Sequence, residues 1–276
     1  MPIFFTDLDG TLLDERTYSF EAALPALERL RGRRALLVPC TSKTCEELRP
    51  ILDELGFHHP FIVENGGAFY FPSRLFGASV PGAERGPDWI RVELGAPYAR
   101  LTEFLRRMRE EKGLRITGFN DLTPEEIVRE CGLTYEEACR AAVREFDEPF
   151  RLTGPDPETD LRILSAEAEK EGLALSRGGR FHHVFGGSDK GKAIRMLTQL
   201  VLQCRFEPIF TVGLGDSPND IPMLKNVDLP VIVQRPSGEY HPDLLREVPG
   251  ARRAGGIGPQ GWNRAVGEIL REKRLP

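Results

Sequence analysis

The sequence predicts an α/β fold in which a parallel sheet is covered by helices and an α+β segment is inserted into the chain. Three observations lead to this prediction. Short apolar runs alternate with helical patterns at both ends of the chain, which is typical of a parallel sheet covered on both faces. The middle of the chain carries amphipathic helices separated by short strand-like pieces. Glycine and proline concentrate where the two patterns meet, as they do at domain boundaries.

The N-terminal part predicts strands that alternate with helices. The predicted strands cover residues 2–6, 35–38 and 61–63, and the first predicted helix covers residues 19–30. Pro25 predicts a late start or a kink in that helix. Thr44 and Glu47 form a capping box that begins the second helix, and Gly56 ends it.

The C-terminal part predicts the remainder of the sheet. A helix begins within Ser188 to Lys192, and strands are predicted over residues 209–212 and 231–233, the second as the last strand. Pro218 suits the first turn of a helix after the earlier of these strands.

The middle of the chain is predicted as a separate domain. We expect residues 1–84 and 187–276 to form the core and residues 85–186 the insertion, with hinges at Pro81 to Pro87 and at Gly186-Gly187. Its predicted helices cover 97–112, 123–131, 135–146 and 159–171, and its predicted strands cover 89–93, 114–117, 150–152, 173–176 and 181–184. The last two strands flank Arg177-Gly-Gly-Arg180, which indicates a hairpin.

Composition narrows the class of protein. The 276 residues are 40% hydrophobic and 29% charged, and the net charge is -5 without a basic block, which argues against a nucleic-acid partner. Five scattered cysteines indicate reduced thiols rather than disulfides or a zinc site. No signal peptide or membrane span is recognisable, so we expect a cytoplasmic protein. Abundant arginine and proline suit heat adaptation, and a GC-rich genome would give the same bias.

Polar residues follow the predicted strands at the edge where a parallel sheet binds its ligands. These residues are Asp7, Asp9, Thr41, Ser42, Lys190, Asp216 and Asp220. Carboxylates that face one another resist ionisation. A hard divalent cation such as Mg²⁺ removes this conflict, since it binds carboxylates, waters and a substrate phosphate.

The same residues resemble the motifs of the haloacid dehalogenase superfamily. Asp7-Leu-Asp-Gly-Thr11 is similar to its DxDGT motif, Thr41 or Ser42 to the second motif, Lys190 to the third, and Gly215 to Asp220 to the GDxxND motif. The resemblance implies a Rossmann-like core. It also implies that the insertion, which lies between the second and third motifs, is a C2-type (C2B) cap domain.

The resemblance further implies a mechanism. Asp7 would attack phosphorus to give an aspartyl-phosphate, and Asp9 would protonate the leaving alkoxide and then activate water. Mg²⁺ would be held by Asp7, Asp216 and the main-chain carbonyl of Asp9, with Asp220 reaching it through water. Lys190 would offset the charge of the phosphoryl oxygens, and the hydroxyls of the second motif would donate hydrogen bonds to them.

Further segments are similar to the mannosyl-3-phosphoglycerate phosphatase family. They are Thr41 to Thr44, Pro60 to Gly67, Arg144 to Phe150, Ser188 to Lys192 and Gly213 to Asp220. This resemblance implies hydrolysis of mannosyl-3-phosphoglycerate to mannosylglycerate, a compatible solute, and phosphate. Glucosyl and mannosyl glycerates differ at one hydroxyl, and one pocket can accept both.

Such a substrate carries a carboxylate, which an arginine would meet in a forked contact. The candidates on the predicted hairpin are Arg177, Arg180 and His182, and those on the core are Lys43, Glu64 and Asn65, with Ser42 beside the phosphate. The alternatives without function are that the hairpin charges are exposed, that Lys43 is solvated, and that Asn65-Gly66 is simply a turn.

Three other activities stay open. A capped phosphatase of the same fold could act on glucosyl-3-phosphoglycerate, sucrose phosphate or hexose phosphates. A phosphosugar mutase shares the fold and the nucleophile. A protein that only binds sugar phosphates with a metal is the third alternative, and Asp9 would have no evident role in it. The sequence does not indicate an oligomeric state.

Overall fold

The computed structural model describes residues 1–75, 80, 82–178, 180–205 and 208–273. The strands in this part of the chain are β1 (Pro2–Thr6), β2 (Leu36–Pro39), β3 (Phe61–Val63), β4 (Ala68–Pro72), β5 (Glu84–Arg85), β6 (Trp89–Glu93), β7 (Ile116–Gly118), β8 (Asp147–Leu152), β9 (Leu173–Arg177), β10 (His182–Gly186), β11 (Phe210–Gly215), β12 (Leu229–Gln234) and β13 (Arg252–Ile257). The α-helices are α1 (Leu24–Arg31), α2 (Cys45–Leu55), α3 (Tyr98–Lys112), α4 (Pro124–Cys131), α5 (Tyr135–Ala141), α6 (Pro157–Lys170), α7 (Lys190–Arg205), α8 (Ile221–Leu224), α9 (Pro242–Glu247) and α10 (Gly258–Glu272). None of these helices combines the length and the apolar character that crossing a membrane requires.

A parallel five-stranded sheet forms the centre of the core, in the order β13-β12-β11-β1-β2. Every residue of β1 is buried, because a central strand of a sheet covered on both faces meets side chains on each side. Phe4 packs into one apolar cluster, and Ile3 and Phe5 pack into another. The predicted parallel sheet is confirmed, and the ends of β2, β1 and β11 are neighbours along one edge.

The C-terminal end of the sheet differs from the prediction. The strand predicted over residues 231–233 lies within β12, but it is not the last, because β13 pairs beside it and α10 follows. The edge strand β13 begins Arg-Arg-Ala-Gly-Gly and buries only Ala254, so it carries no apolar run that would reveal it. Trp262 of α10 is fully buried and donates a hydrogen bond to Oγ1 of Thr6 over 3.0 Å, which fixes the helix beneath β1.

A second, antiparallel sheet has the order β3-β4-β6-β5. One parallel bridge between Cys40 and Ile62 joins it to the end of β2. The strand β6 was predicted within the insertion, yet it pairs with β4, and its Ile90 packs with Ile3 and Phe5 of β1. The division at residues 84 and 85 therefore stays a prediction, and the pairing of β6 favours a boundary nearer Gly95. Pro81 of the predicted hinge lies outside the described residues.

A third sheet, β7-β8-β10-β9, is antiparallel and lies in the inserted segment. Its own apolar cluster includes Phe104, Leu164 and Val184. The predicted hairpin is confirmed by the pairing of β9 with β10, although Gly179 in its turn lies outside the described residues. The helix predicted over 135–146 ends at Ala141. The amides of residues 145–147 donate instead to the buried carboxylate of Glu64, and β8 begins there.

Candidate active site

Three buried carboxylates meet at the edge of the parallel sheet. Asp7 directly follows β1, Asp216 directly follows β11, and Asp220 ends the short turn of 3-10 helix Pro218–Asp220. One carboxylate oxygen from each of them lies within 4.8 Å of those of the other two. The arrangement arises because parallel strands present their carboxyl ends at the same edge.

Lys190 provides the positive charge inside this cluster. It is the first residue of α7 and is 1% exposed. Its Nζ donates to Oδ1 of Asp7 and to Oδ1 of Asp220, each over 2.7 Å. Burial works to lower the pKa of Lys190, but the charges of Asp220 and Asp7 raise it above its ordinary value. The ammonium is therefore fixed and charged between two acids.

Asp220 uses its second oxygen to order the loop after β11. Oδ2 of Asp220 accepts hydrogen bonds from the main-chain N–H of Asp216 over 3.1 Å and of Ser217 over 3.2 Å. A β-carbon at Gly215 would lie 2.5 Å from Cγ of Asp220, so only glycine fits there. Both oxygens of Asp220 thus have protein partners, which agrees with a contact to a metal through water rather than directly.

The donor set fits a hard divalent cation. Burial raises the pKa of Asp7 to about 7, and the charge of Asp220 adds to this effect. Burial likewise raises the pKa of Asp216 well above its ordinary value, with further effects from Asp7 and Asp220. Three carboxylates face one ammonium, and the excess negative charge is costly unless a cation joins it. In the described part of the chain no hydrogen bond reaches the main-chain carbonyl of Asp9, which leaves it free as a further oxygen ligand.

The side chain of Asp9 lines the same cavity as Asp7 but makes different contacts. Its Oδ2 lies 2.9 Å from Nζ of Lys43. Its Oδ1 is buried and has no hydrogen-bond partner within the described residues. Lys43 is 8% exposed and lies against the ring of Tyr18, with Nζ 4.8 Å from the ring centroid. Lys43, which was predicted to meet the substrate, is thus paired with the predicted general acid.

Thr41 and Ser42 lie in the turn between β2 and α2. Thr41 is 1% exposed, and its Oγ1 accepts a hydrogen bond from the main-chain N–H of Lys43 over 3.1 Å. Ser42 lines the cavity that contains Asp7. Thr44 and Glu47 form the predicted capping box at the start of α2, so these hydroxyls lie beside a helix N-terminus, where anions bind favourably.

The cavity over the carboxylates lies between the core and the inserted segment. It is open to solvent, and water can occupy about 130 Å³ of it. Its lining includes Asp9, Ser42 and Lys43 from the core and Arg144, Arg180 and His183 from the insertion. Arg180 also donates hydrogen bonds to the main-chain carbonyls of Cys131 and Glu15.

Two residues that were predicted to bind substrate, Glu64 and Asn65, are buried against the inserted segment and do not line the cavity. The carboxylate of Glu64 accepts hydrogen bonds from three successive main-chain amides at residues 145–147. Nδ2 of Asn65 donates to Oδ2 of Asp147 over 2.8 Å, and Oδ1 of Asn65 accepts from Asn219 over 3.1 Å. Both are at most 2% exposed. The polar atoms of both residues bind other parts of the protein in this structure, and their contact with sugar hydroxyls stays a prediction.

The structure also separates two hairpin candidates from the cavity over Asp7. Arg177 and His182, which are paired across β9 and β10, line a different cavity. Successive residues of a strand point to opposite faces, so His183 rather than His182 faces the carboxylates. The substrate contacts of Arg177 and His182 stay a prediction, and in this structure His183, not these two residues, lines the cavity over Asp7. Because side chains alternate between the two faces of a strand, the sequence could have indicated His183 if the register of the predicted strand had been known.

Sequence reasoning also missed Arg144 and Asp147. Arg144 donates to Oδ1 of Asp147 over 2.9 Å and to the main-chain carbonyl of Ser42 over 3.2 Å. Its side chain is 5% exposed and that of Asp147 is fully buried. Both lie in a segment whose similarity to a known family was recognised, but no local pattern gives them a role.

Known proteins resemble this chain over most of its length. A family model described as haloacid dehalogenase-like hydrolase matches residues 4–74. The chain is 44% identical over 269 residues to a glucosyl-3-phosphoglycerate/mannosyl-3-phosphoglycerate phosphatase of Methanococcoides burtonii, covering 97% of both chains. It is 35% identical over 232 residues to the mannosyl-3-phosphoglycerate phosphatase of Pyrococcus furiosus, covering 84% of this chain and 90% of that one. The solved structure of a subclass IIB sugar phosphatase of the haloacid dehalogenase superfamily aligns over 100% of both chains, with a TM-score of 0.64 and 16% identity, which supports the fold.

Proposed function

This chain belongs to the glucosyl-3-phosphoglycerate/mannosyl-3-phosphoglycerate phosphatase family of haloacid dehalogenase-like hydrolases, and from that premise we propose that it hydrolyses mannosyl-3-phosphoglycerate to mannosylglycerate and phosphate. It is a phosphoric monoester hydrolase. The observation that carries the proposal is the cluster of Asp7, Asp216 and Asp220 around Lys190, at the base of the cavity between the core and the inserted segment.

We assign Asp7 as the nucleophile. Its Oδ1 is bound by Lys190, which leaves Oδ2 to attack phosphorus. The bond between phosphorus and the ester oxygen breaks as the new bond to Asp7 forms, which gives an aspartyl-phosphate. Water then attacks this phosphorus, releases phosphate and restores the carboxylate.

We assign Asp9 as the general acid and base of the two steps. It would give a proton to the leaving alkoxide in the first step and take a proton from the attacking water in the second. Oδ1 of Asp9 has no hydrogen-bond partner among the described residues, and Lys43 holds Oδ2. The proton returns to Asp9 in each cycle, so the hydrolysis is balanced.

Mg²⁺ is the cofactor that we propose for this site. Asp7, Asp216 and the main-chain carbonyl of Asp9 would hold it, and Asp220 would reach it through water. When bound, it supplies charge that offsets the negative phosphoryl oxygens. Lys190 supplies the same kind of stabilisation from α7, and the hydroxyls of Thr41 and Ser42 would donate hydrogen bonds to the remaining phosphoryl oxygens.

We propose that the inserted segment is the substrate-specificity cap. It covers residues 85–186, or a slightly shorter stretch that begins after β6. It contributes Arg144, Arg180 and His183 to the cavity. An arginine such as Arg180 matches the carboxylate that distinguishes the phosphoglycerate part from simple hexose phosphates. A cap of this kind also excludes water from the reacting centre.

A substrate panel tests the proposed function. Phosphate release would be measured with mannosyl-3-phosphoglycerate, glucosyl-3-phosphoglycerate, sucrose phosphate, hexose phosphates and p-nitrophenyl phosphate, in Mg²⁺. We expect kcat/KM to be highest for the two sugar phosphoglycerates. A preference for hexose or sucrose phosphate would refute the substrate, and transfer of phosphate between sugars that requires a bisphosphate activator would identify a mutase.

A further inference from the structure

His183 is the one imidazole among the described residues that line the cavity over Asp7. It lies on β10 of the inserted segment and is 6% exposed. The phosphate chemistry assigned above does not use it. Most of the ring is buried, and it borders the same cavity as Asp7 and Asp9.

One ring nitrogen of His183 is held by a buried carboxylate. Nδ1 of His183 lies 2.7 Å from Oδ1 of Asp147. Burial works to raise the pKa of Asp147, but His183 and then Arg144 hold it below its ordinary value. An ionised carboxylate only accepts hydrogen bonds, so Nδ1 carries a proton. Nε2 is then the ring nitrogen that can bond a ligand. The hydrogen bond between Nδ1 and Asp147 fixes the orientation of the ring.

Nε2 has no hydrogen-bond partner in the described part of the chain, and a glycine leaves room beside it. A β-carbon at Gly178 would lie 3.0 Å from Nε2. The N–H of Gly178 donates to the carbonyl of Phe181 over 3.0 Å, which any residue could do. The missing side chain at this position therefore keeps the approach to Nε2 open.

Hydrogen bonds from Asn65 and Arg144 to Asp147 connect the ring of His183 to the core. Asn65 donates to Asp147 and accepts from Asn219, which lies in the loop of Asp216 and Asp220. Arg144 connects Asp147 with the carbonyl of Ser42. His183 is thus held at a fixed place relative to the loop of Asp216 and Asp220 and to the turn that contains Ser42, as a group that recognises one end of a substrate must be.

We propose that Nε2 of His183 hydrogen-bonds an oxygen of the sugar–glycerate part of the substrate and so selects these esters over simple phosphate esters. The inference rests on the proposed function. The oxygen belongs to the leaving group, since the phosphoryl oxygens are assigned to Lys190 and to the turn after β2. A glycerate oxygen and a sugar hydroxyl share the required chemistry.

The test compares two variants with one matched control. His183→Phe removes the nitrogen, and Gly178→Ala crowds Nε2 while it keeps the imidazole and its bond to Asp147. His182→Phe makes the same exchange on the opposite face of β10, where the ring stacks on Phe150. The kcat/KM values are measured for mannosyl-3-phosphoglycerate, 3-phosphoglycerate, mannose 6-phosphate and p-nitrophenyl phosphate, and thermal unfolding checks the fold.

We expect the ratio of kcat/KM for mannosyl-3-phosphoglycerate to that for p-nitrophenyl phosphate to fall about tenfold in His183→Phe and Gly178→Ala. The ratio should stay unchanged in His182→Phe. A parallel fall with 3-phosphoglycerate assigns the contact to glycerate, and one with mannose 6-phosphate assigns it to the sugar. Equal losses with every substrate, or an unchanged ratio in Gly178→Ala, would overturn the inference.

The wild-type enzyme separates this inference from the proposed function. Turnover of mannosyl-3-phosphoglycerate by the wild type, with unchanged selectivity in both variants, contradicts only the role of His183. Absence of that turnover contradicts the proposed function and removes the inference with it.

Discussion

Asp7 must satisfy two conflicting demands. A nucleophile has to be ionised, but burial and the nearby Asp220 raise the pKa of Asp7 to about 7. Without a cation the charged form is therefore unfavourable at its site. The proposed nucleophile is therefore expected to reduce the stability of the metal-free protein at pH values above 7.

We expect Asp7→Asn to abolish phosphatase activity and to keep the fold. Asparagine retains an oxygen that can accept from Lys190, and it removes one of the mutually repelling charges. At pH 8 without metal the free energy of unfolding should rise by about 1 kcal/mol. Chemical denaturation and a phosphate-release assay measure the two effects.

Asp14→Asn is the matched control for this prediction. Main-chain amides of Thr17 and Arg16 donate to Asp14, and hydrogen bonding to Thr17 lowers the pKa of Asp14. The same substitution should therefore reduce stability slightly and leave turnover intact. Normal activity in Asp7→Asn would mean that the nucleophile has been assigned wrongly.

Glu148 makes stability depend on pH. Burial raises the pKa of Glu148 to about 7, from an ordinary value near 4.5. The folded protein therefore binds a proton between these values that the unfolded chain does not, so the stabilisation is complete below pH 4.5 and is lost as the pH rises through 7. We expect the free energy of unfolding to fall by up to about 3 kcal/mol from pH 5 to pH 8 on account of this group.

Glu148→Gln checks the sign of this dependence. Glutamine can accept from the amide of Asn120 and donate to Oη of Tyr98, so it keeps both contacts without titrating. Denaturation at pH 5 and pH 8 should show a smaller decrease in the variant than in the wild type. An identical decrease in both would place the titration elsewhere.

At the scale of elements, the active site depends on how closely α7 approaches the turn after β3. Gly66 adopts a φ of +95°, and a β-carbon there would lie 2.2 Å from the main-chain oxygen of Asp189. Asp189 directly precedes Lys190 at the start of α7. The position of the lysine therefore depends on the absence of a side chain at residue 66.

We expect Gly66→Ala to reduce stability by about 3 kcal/mol, because backbone strain and overpacking act together. It should also lower kcat about tenfold or more, since Lys190 is displaced from Asp7. Gly113→Ala is the control, because Gly113 has a φ of +68° but nothing within 4 Å of the added carbon. That variant should lose about 1 kcal/mol and no activity. Equal effects would show that the contact with Asp189 is unimportant.

At the scale of the whole molecule, the sequence predicted what local patterns determine. The short apolar run at residues 2–6 indicated a strand, and the predicted capping box at Thr44 is present at the start of α2. The convergence of Asp7 with Asp216 followed from a rule about parallel sheets, without any long-range information.

The unpredicted parts depend on tertiary contacts. The edge strand β13 lacks an apolar run, and β4 was not recognised although all its residues are buried. Glu64 looked like a ligand because it ends a strand, yet its partners are amides 81 to 83 positions away along the chain. The choice between His182 and His183 required the register of β10, which no residue near them specifies.

The distribution of charge over the molecule explains why metal should control both activity and stability. A chain with a net charge of -5 buries three carboxylates around one ammonium at the base of its cavity. We expect a chelator to stop turnover and Mg²⁺ to restore it. A cation that binds only the folded site should make unfolding less favourable by about 2.7 kcal/mol at a Mg²⁺ concentration one hundred times Kd.

Thermal unfolding with increasing Mg²⁺ measures this stabilisation, and sodium chloride at equal ionic strength controls for general screening. Asp216→Asn should lose most of the Mg²⁺-dependent rise in Tm, since it removes a carboxylate that no other residue replaces. The same variant should be more stable than the wild type without metal, because burial raises the pKa of Asp216 and neutralisation relieves that cost. Full activity in chelator, or equal stabilisation by the two salts, would contradict a cation site at Asp7 and Asp216.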